Sequence, residues 1–276
     1  SIAVDGRRSL INLMDRVRRA EPAAVAIEVP AIPDRGRVEG VEFVEFAANE
    51  KEAGDLGQLL TTMGFTPQTK HRNKEVVLWR QGTAASGINI VVNTEREGLA
   101  HSSYLMHGTN AYALGLRVED AAATVARARA LGAIPFEQKR GPGELAIPAI
   151  RGVGGGVLYF IDRRSELARV WDIEFEQLAH DTPPAEARLL TIDHVAQTMN
   201  YEEMLTWVLF YTAIFRTEKS PMVDVVDPGG LVRSQAIEGG DGAASAEGDP
   251  NVPKKLGDDP ETGLPVWMRK GPYGQY

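Results

Sequence analysis

Five histidines and no cysteine frame the chemistry open to this chain. Thiolate metal sites, iron–sulfur clusters, disulfide scaffolds and thiol nucleophiles are excluded. His194 is the sharpest candidate. It lies in Leu190-Thr-Ile-Asp-His-Val-Ala196, an alternating run that reads as a strand with Asp193 on the opposite face. An imidazole there can donate to a metal ion, and a divalent ion needs further donors converging on the same face. Ser234 is the second candidate, on a strand pattern running from Leu231 to Ile237, with Gln235 on the other face. Ser234 and His194 do not make a hydrolase pair, because no nucleophile elbow surrounds the serine. Glu45 holds in its own strand, Val41 to Ala47, the position that His194 holds in the later one. It reads as a structural or solvent-facing carboxylate, with a relic ligand or a group facing a polar cleft as the other readings. His101 and His107 flank a loop, His71 lies in the basic stretch Lys70 to Lys74 as a solvated turn or strand edge, and His180 lies in a proline-containing linker. Gly152 to Gly156 lacks the Lys-Ser/Thr of a phosphate loop and reads as a tight hairpin.

These residues sit on an internal repeat. The first copy is the strand Val41 to Ala47, then a helix with Asn49 as N-cap and Glu52 closing a capping box, Leu56, Leu59, Leu60 and Met63 on one face, and Gly64 ending it. The second is the strand Ala111 to Val118, then a helix capped by Asp120 and stopped by Gly132. The third is the strand Leu190 to Ala196, then a helix capped by Asn200 with Met204, Trp207, Val208 and Tyr211 on one face. Strand patterns follow each helix: 75–79 and 88–92, then 145–147 and 157–161, then 223–226 and 231–237. Each unit is a strand, a helix and two or three strands, and such a unit must pair to bury its helix and sheet face. Units one and two pair over 41–175. Unit three has no partner, and its apolar helix face is expected to drive self-association through residues 189–238.

The expected organisation is a remnant helix at 1–20, a linker at 21–40, the paired module at 41–175, a linker at 176–188, a truncated second module at 189–238 and an irregular tail at 239–276 rich in glycine and proline. Its 276 residues suggest two domains. A formal charge of −8 argues against nucleic-acid binding. No segment is apolar for long enough to span a bilayer, and a cytoplasmic location fits the missing cysteine.

The repeat resembles the vicinal oxygen chelate superfamily. Arg80-Gln-Gly82 with Gly87-Ile-Asn-Ile90, and the run from Arg151 to Asp162, resemble the N-terminal half of 4-hydroxyphenylpyruvate dioxygenases. Ile192-Asp-His194 and Gly230-Leu-Val-Arg-Ser-Gln-Ala236 resemble the opening of that family's metal-bearing half. Asp5-Gly-Arg-Arg-Ser-Leu10, Phe43-Val-Glu-Phe46, Leu114-Gly-Leu-Arg-Val118 and Gly141-Pro-Gly-Glu-Leu-Ala-Ile-Pro148 are similar to bacterial bifunctional 3-dehydroshikimate dehydratases, which fuse a barrel dehydratase to a dioxygenase-like module. The tail from Lys255 to Gly271 resembles a short C-terminal repeat of bacterial type I DNA topoisomerases.

The resemblance implies an α+β fold of paired βαβββ modules, glyoxalase/dioxygenase-like, with the second module incomplete. It implies His194 as a metal ligand and Ser234 as a substrate contact. In the parent family the cofactor is a divalent metal ion (Fe, Mn, Co or Mg) and the small-molecule partner is an aromatic or 2-oxo acid. The expectation is a fragment of a dehydratase that forms protocatechuate, without its barrel site and inactive alone. A catalysis-free scaffold or oligomerisation module, and an iron-dependent dioxygenase-like oxygenase, are the alternatives.

Overall fold

The computed structural model describes residues 10–12, 32–83, 87–178, 189–227, 230–239, 254–258, 265–268, 270–271 and 274–275. The chain forms two compact units, 1–216 and 217–276. The boundary falls inside the expected third module, between its helix and the strand patterns that follow.

In the first unit the order is β1 (Val38–Ala47), α1 (Glu50–Thr62), β2 (Thr66–His71), β3 (Val76–Gly82), β4 (Gly87–Asn93), α2 (Gly98–His107), β5 (Asn110–Val118), α3 (Ala121–Ala130), β6 (Ala149–Arg151), β7 (Val157–Ile161), α4 (Val170–Ile173), β8 (Phe175–Gln177) and α5 (Tyr201–Ile214). All eight strands join one sheet in the order β6-β7-β5-β1-β4-β3-β2-β8. The duplication is plain in it. In the first copy β1 lies parallel to β4, with β3 and β2 beyond. In the second, β5 lies parallel to β7, with β6 beyond. The second copy's second strand is reduced to one bridge, Pro135 with Ile150. The copies meet where β1 and β5 pair antiparallel, with Val44 opposite Leu114.

Local chemistry explains the helix ends. The Asn49 side chain accepts the Glu52 N–H at 2.7 Å, and Asp120 accepts the Ala123 N–H at 2.8 Å. The Glu52 carboxylate does not close the box onto the backbone of residue 49. It accepts the hydroxyls of Tyr104 and Thr109, which ties α1 to α2 and the start of β5. Gly64 and Gly132, with φ of +87° and +88°, take the left-handed conformation that ends α1 and α3.

The sheet separates two apolar layers. On one side Val44, Phe46, Ile88, Ile90 and Val92 pack beneath α1 with Leu60 and Phe65. The larger cluster reaches both faces: Phe43, Leu78, Val91, Tyr159 and Phe175 lie on the face away from α1, and Ile150, Leu158 and Phe160 pack with α3 on the face that α1 also covers.

Several expectations are corrected. Residues 189–200 form neither helix nor strand, so Leu190 to Ala196 is not the first strand of a third unit. Alternation alone does not make a strand without a neighbour to hydrogen-bond. This segment is instead held by the Leu189 N–H, which donates to Gln81 Oε1 at 2.7 Å, and by Ile192, which packs on the α1 layer. The α5 face is not without a partner. Phe210, Ala213, Ile214 and Phe215 are buried in the main core, Trp207 is partly buried against it, and α5 packs on α3. That helix face is therefore covered within the chain, while Leu190, Tyr201 and Leu205, elsewhere in the stretch expected to self-associate, stay exposed. Residues 145–147 are irregular, and β6 begins at Ala149. His101 and His107 lie on α2 and not on a loop.

The second unit holds short antiparallel pairs. They are β9 (Thr217–Lys219) with β12 (Ile237–Gly239), β10 (Val223–Asp227) with β11 (Gly230–Ser234), β13 (Lys254–Asp258) with β14 (Pro265–Met268), and β15 (Lys270–Gly271) with β16 (Gly274–Gln275). The tail thus contains strands where an irregular segment was expected. The remnant helix is seen only as helical residues 10–12, and the rest of 1–20, most of the 21–40 linker and His180 lie outside the described residues. Among the described residues, no helix is long and apolar enough to cross a membrane.

Candidate functional site

The two sequence-derived candidates fall in different compact units. The His194 side chain is 76% exposed, and its Nδ1 lies 3.3 Å from Asp193 Oδ2. With no strand to set them on opposite faces, the two residues stand side by side. Ser234 ends β11 opposite Val223 and is exposed. Gln235 lies beyond the strand and donates to the Ser220 carbonyl at 2.8 Å. Among the described residues, no group of three or more His, Asp or Glu is placed to hold a metal ion. His194 and Asp193 supply two donors where a two-His, one-carboxylate set needs three, so the described residues do not fit a divalent metal.

The structure assembles a different set, on the face of the sheet away from α1. Between Glu45↔Ala113 and Phe46↔Ala111 the β1–β5 register skips a residue, which leaves Tyr112 as a bulge. The Tyr112 hydroxyl donates to Glu45 Oε1 at 2.6 Å. Asn93, at the end of β4, donates to the same oxygen at 2.9 Å, and its own Oδ1 accepts the Glu95 N–H. Glu45, Asn93 and Tyr112 are all buried. Burial pushes the Glu45 carboxyl above its usual range, against the pull of Tyr112, Asn93, Lys74 and His71. Burial and the neighbouring Glu45 carboxylate push the Tyr112 phenol well up, and the Tyr159 phenol rises for the same two causes with Glu174 added.

A second group closes one end of this face. His71 is buried, and its Nδ1 accepts the Asn73 N–H at 3.1 Å. That bond places the imidazole proton on Nε2, which faces Glu174 Oε2 at 3.3 Å and Glu144 Oε1 at 3.8 Å. The other Glu174 oxygen accepts the Leu145 N–H at 2.7 Å, and Glu144 accepts from Lys74 Nζ at 2.7 Å. Burial raises the Glu144 carboxyl, but the Lys74 ammonium, the Gly141 backbone and Asn73 outweigh it and hold the group below its usual range. Four stretches are pinned together: the β2–β3 turn, the strap 141–145, α4 and β8. His71 is thus a buried, bonded group and not a solvated turn. The basic run Lys70 to Lys74 is the signal that could have found it, but its carboxylate partners lie 70 and 103 residues away in the chain.

A raised carboxyl beside a phenol has the makings of a general acid. Here the group is shut away from solvent. Phe43, Tyr159 and Phe175 fill the face and are themselves buried, and Trp171 stands edge-on to Phe43 at 5.6 Å. Glu45 is buried and hydrogen-bonded, in keeping with the structural reading and not with a solvent-facing one. Gly152–Gly156 forms the expected tight turn between β6 and β7.

The family profile described as "Hydroxyphenylpyruvate dioxygenase, HPPD, N-terminal" matches residues 34–176. A 3-dehydroshikimate dehydratase of Pseudomonas aeruginosa is 36% identical over 95% of this chain and 40% of its own length. A second, of Pseudomonas putida, is 37% identical over 85% of the chain and 37% of its own length. A 4-hydroxyphenylpyruvate dioxygenase of a Pseudomonas species is 35% identical over 74% of the chain and 56% of its own length. A solved xylose isomerase-like TIM barrel/4-hydroxyphenylpyruvate dioxygenase fusion protein is 35% identical with a TM-score of 0.65, over 86% of this chain and 36% of that one. The chain therefore spans less than half the length of the dehydratases it matches. A match over 95% of the chain also runs into residues 239–276, the stretch expected to resemble a topoisomerase repeat. With the duplicated βαβββ sheet already in view, the profile match over residues 34–176 places the chain in the hydroxyphenylpyruvate dioxygenase N-terminal family, on a glyoxalase-type α+β fold.

Proposed function

We propose that this chain does in its own protein what the matched dioxygenase-like part does in 3-dehydroshikimate dehydratases, and that residues 34–176 serve there as a scaffold and not as a reaction chamber. The dehydration, loss of water from 3-dehydroshikimate to give protocatechuate, belongs to a part of those enzymes outside the matched region. The observation that carries this reading is the closed face around Glu45. A pocket that held a substrate would leave the carboxyl something to act on; here Tyr112 and Asn93 satisfy it, and it is buried on the same face as the paired rings of Phe43 and Tyr159.

His194 remains, in this reading, one exposed donor of a divalent-metal site, and Ser234 one exposed hydroxyl toward a small aromatic or 2-oxo acid. Neither is completed by the described residues. The chain on its own is then expected to form no protocatechuate from 3-dehydroshikimate by absorbance. It is also expected to take up no oxygen with Fe(II) and 4-hydroxyphenylpyruvate, and to bind Mn(II), Co(II) or Mg(II) without a defined stoichiometry in calorimetry. Turnover in either assay, or one-to-one metal binding lost in His194→Ala, would overturn the scaffold reading.

A further inference from the structure

One side chain holds the segment that leads into the sheet and the helix that leaves it. Residues 33–37 lie against α3 and the C-terminal end of α5. Arg127, in the last turn of α3, donates from Nε to the Ala213 carbonyl at 2.7 Å and from Nη1 to the Pro33 carbonyl. Around this fork the two segments bond directly. The Gly36 N–H donates to the Ile214 carbonyl at 3.3 Å, and the Arg216 N–H donates to the Gly36 carbonyl at 2.8 Å. Gly36 and Phe215 form a parallel bridge. Arg216 Nε donates to the Arg35 carbonyl at 3.0 Å. On the inner side, Phe215 stands edge-on to Phe160 of β7 at 6.0 Å.

The chemistry makes these contacts mutually dependent. The carbonyls of a helix's last turn have no partner inside the helix, and a cation there also meets the negative end of the helix dipole. Arginine offers two donors in a rigid plane, so it can serve two acceptors at a fixed separation, which a lysine ammonium cannot. If 33–37 lifts away, half of the fork loses its acceptor and the α5 terminus loses the Gly36 donor. If the α5 terminus frays, the incoming segment loses its bridge. There is no slack between the segment and α3 either: a Cβ on Gly36 would lie 2.7 Å from Thr124 Oγ1.

We propose that this junction is a coupling device: the incoming segment 33–37 and the C-terminal half of α5 order and disorder as one body, with Arg127 as the positioning residue that links them. A change on either flank of the paired modules is transmitted to the other flank through α3, while the central strands of the sheet stay as they are. The inference rests on these contacts alone and stands or falls apart from the scaffold reading.

Peptide-resolved hydrogen exchange on the full chain tests it. Arg127→Met is expected to speed exchange about tenfold, the loss of roughly one net hydrogen bond, in peptides covering 33–38 and 210–216 together. Peptides from β3 and β4 are expected not to change, and Arg127→Lys to behave like Arg127→Met. Gly36→Ala, which strikes Thr124 and not α5, is expected to loosen both segments. Gly36→Ala with Thr124→Ala removes the struck oxygen and is expected to return both together. Loosening of one segment without the other, in either the Arg127 or the Gly36 series, overturns the proposal. If Arg127→Met disturbs β3 and β4 as well, the Gly36/Thr124 pair decides: correlated recovery supports coupling and uncorrelated recovery overturns it.

Discussion

Glu45 shows how a carboxylate can be kept in a core without being used. Its pKa is raised by burial from an ordinary 4.5, so the folded chain holds the proton more tightly than the unfolded chain. Its contribution to stability is fully present below about 4.5 and is lost as pH rises through the raised value. Glu45→Gln keeps an oxygen for Tyr112 and Asn93 and removes the charge. It is expected to melt at the same temperature or higher at neutral pH, with the difference vanishing in acid, when melting is followed by circular dichroism. Glu45→Ala strands both donors and is expected to cost about 2 kcal/mol in urea unfolding. Glu144 has the opposite sign. Its pKa is lowered from 4.5, so its contribution is present above that value and is lost as pH falls through the lowered one. Lys74→Met removes a cation that holds this carboxylate, so it is expected to lower stability at neutral pH by about 1–3 kcal/mol. It should also flatten the acid limb of the stability curve. A Lys74→Met chain with an unchanged acid limb would show that the ion pair contributes nothing.

Among elements, those whose cause is local were legible. Asn49, Asp120, Gly64 and Gly132 act within a turn of their own positions, so α1 and α3 could be placed from residue type alone. So could β1, β4, β5 and β7, whose apolar runs need only a face to bury. β2 was not legible, because Thr66-Pro-Gln-Thr-Lys-His71 has no apolar alternation. It is a strand because β3 and β8 sit on either side of it, and β8 lies more than a hundred residues away. The run Leu190 to Ala196 is the converse, a good strand pattern with no neighbour to pair with. The buried site was half legible: Glu45 could be singled out from the repeat, while Tyr112 reached it through a bulge that no pattern announces, and the His71 carboxylates came from loops. Strand packing also makes a sharp demand at Gly115, where a Cβ would lie 2.2 Å from the Phe43 ring. Gly115→Ala is expected to lose about 1–3 kcal/mol, since the ring sits in a filled layer between Tyr159 and Trp171. Phe43→Leu in the same chain should recover part of that loss in chemical denaturation.

At the scale of the whole molecule, α5 belongs with the paired modules and not with the strands that follow it in sequence. Residues 32–216 are therefore expected to be protected in native-state hydrogen exchange, the sheet strands most, 33–37 and the C-terminal half of α5 at one shared level below them, and the hairpins after Thr217 least. Slow exchange confined to the sheet, with α5 free, would contradict the burial of Phe210, Ile214 and Phe215. Repeat copies can diverge at their margins while keeping the centre. Here the margin that diverged is Pro135, the single bridge left of the second copy's second strand. Proline has no N–H to offer a further neighbour, so the outer border of that copy finishes on a residue that cannot recruit another chain. The opposite border, β8, is three residues long and carries Glu176, another poor template. Among the described residues, the eight-stranded sheet is in this way terminated at both ends by its own sequence, on borders ill suited to zip onto a further strand.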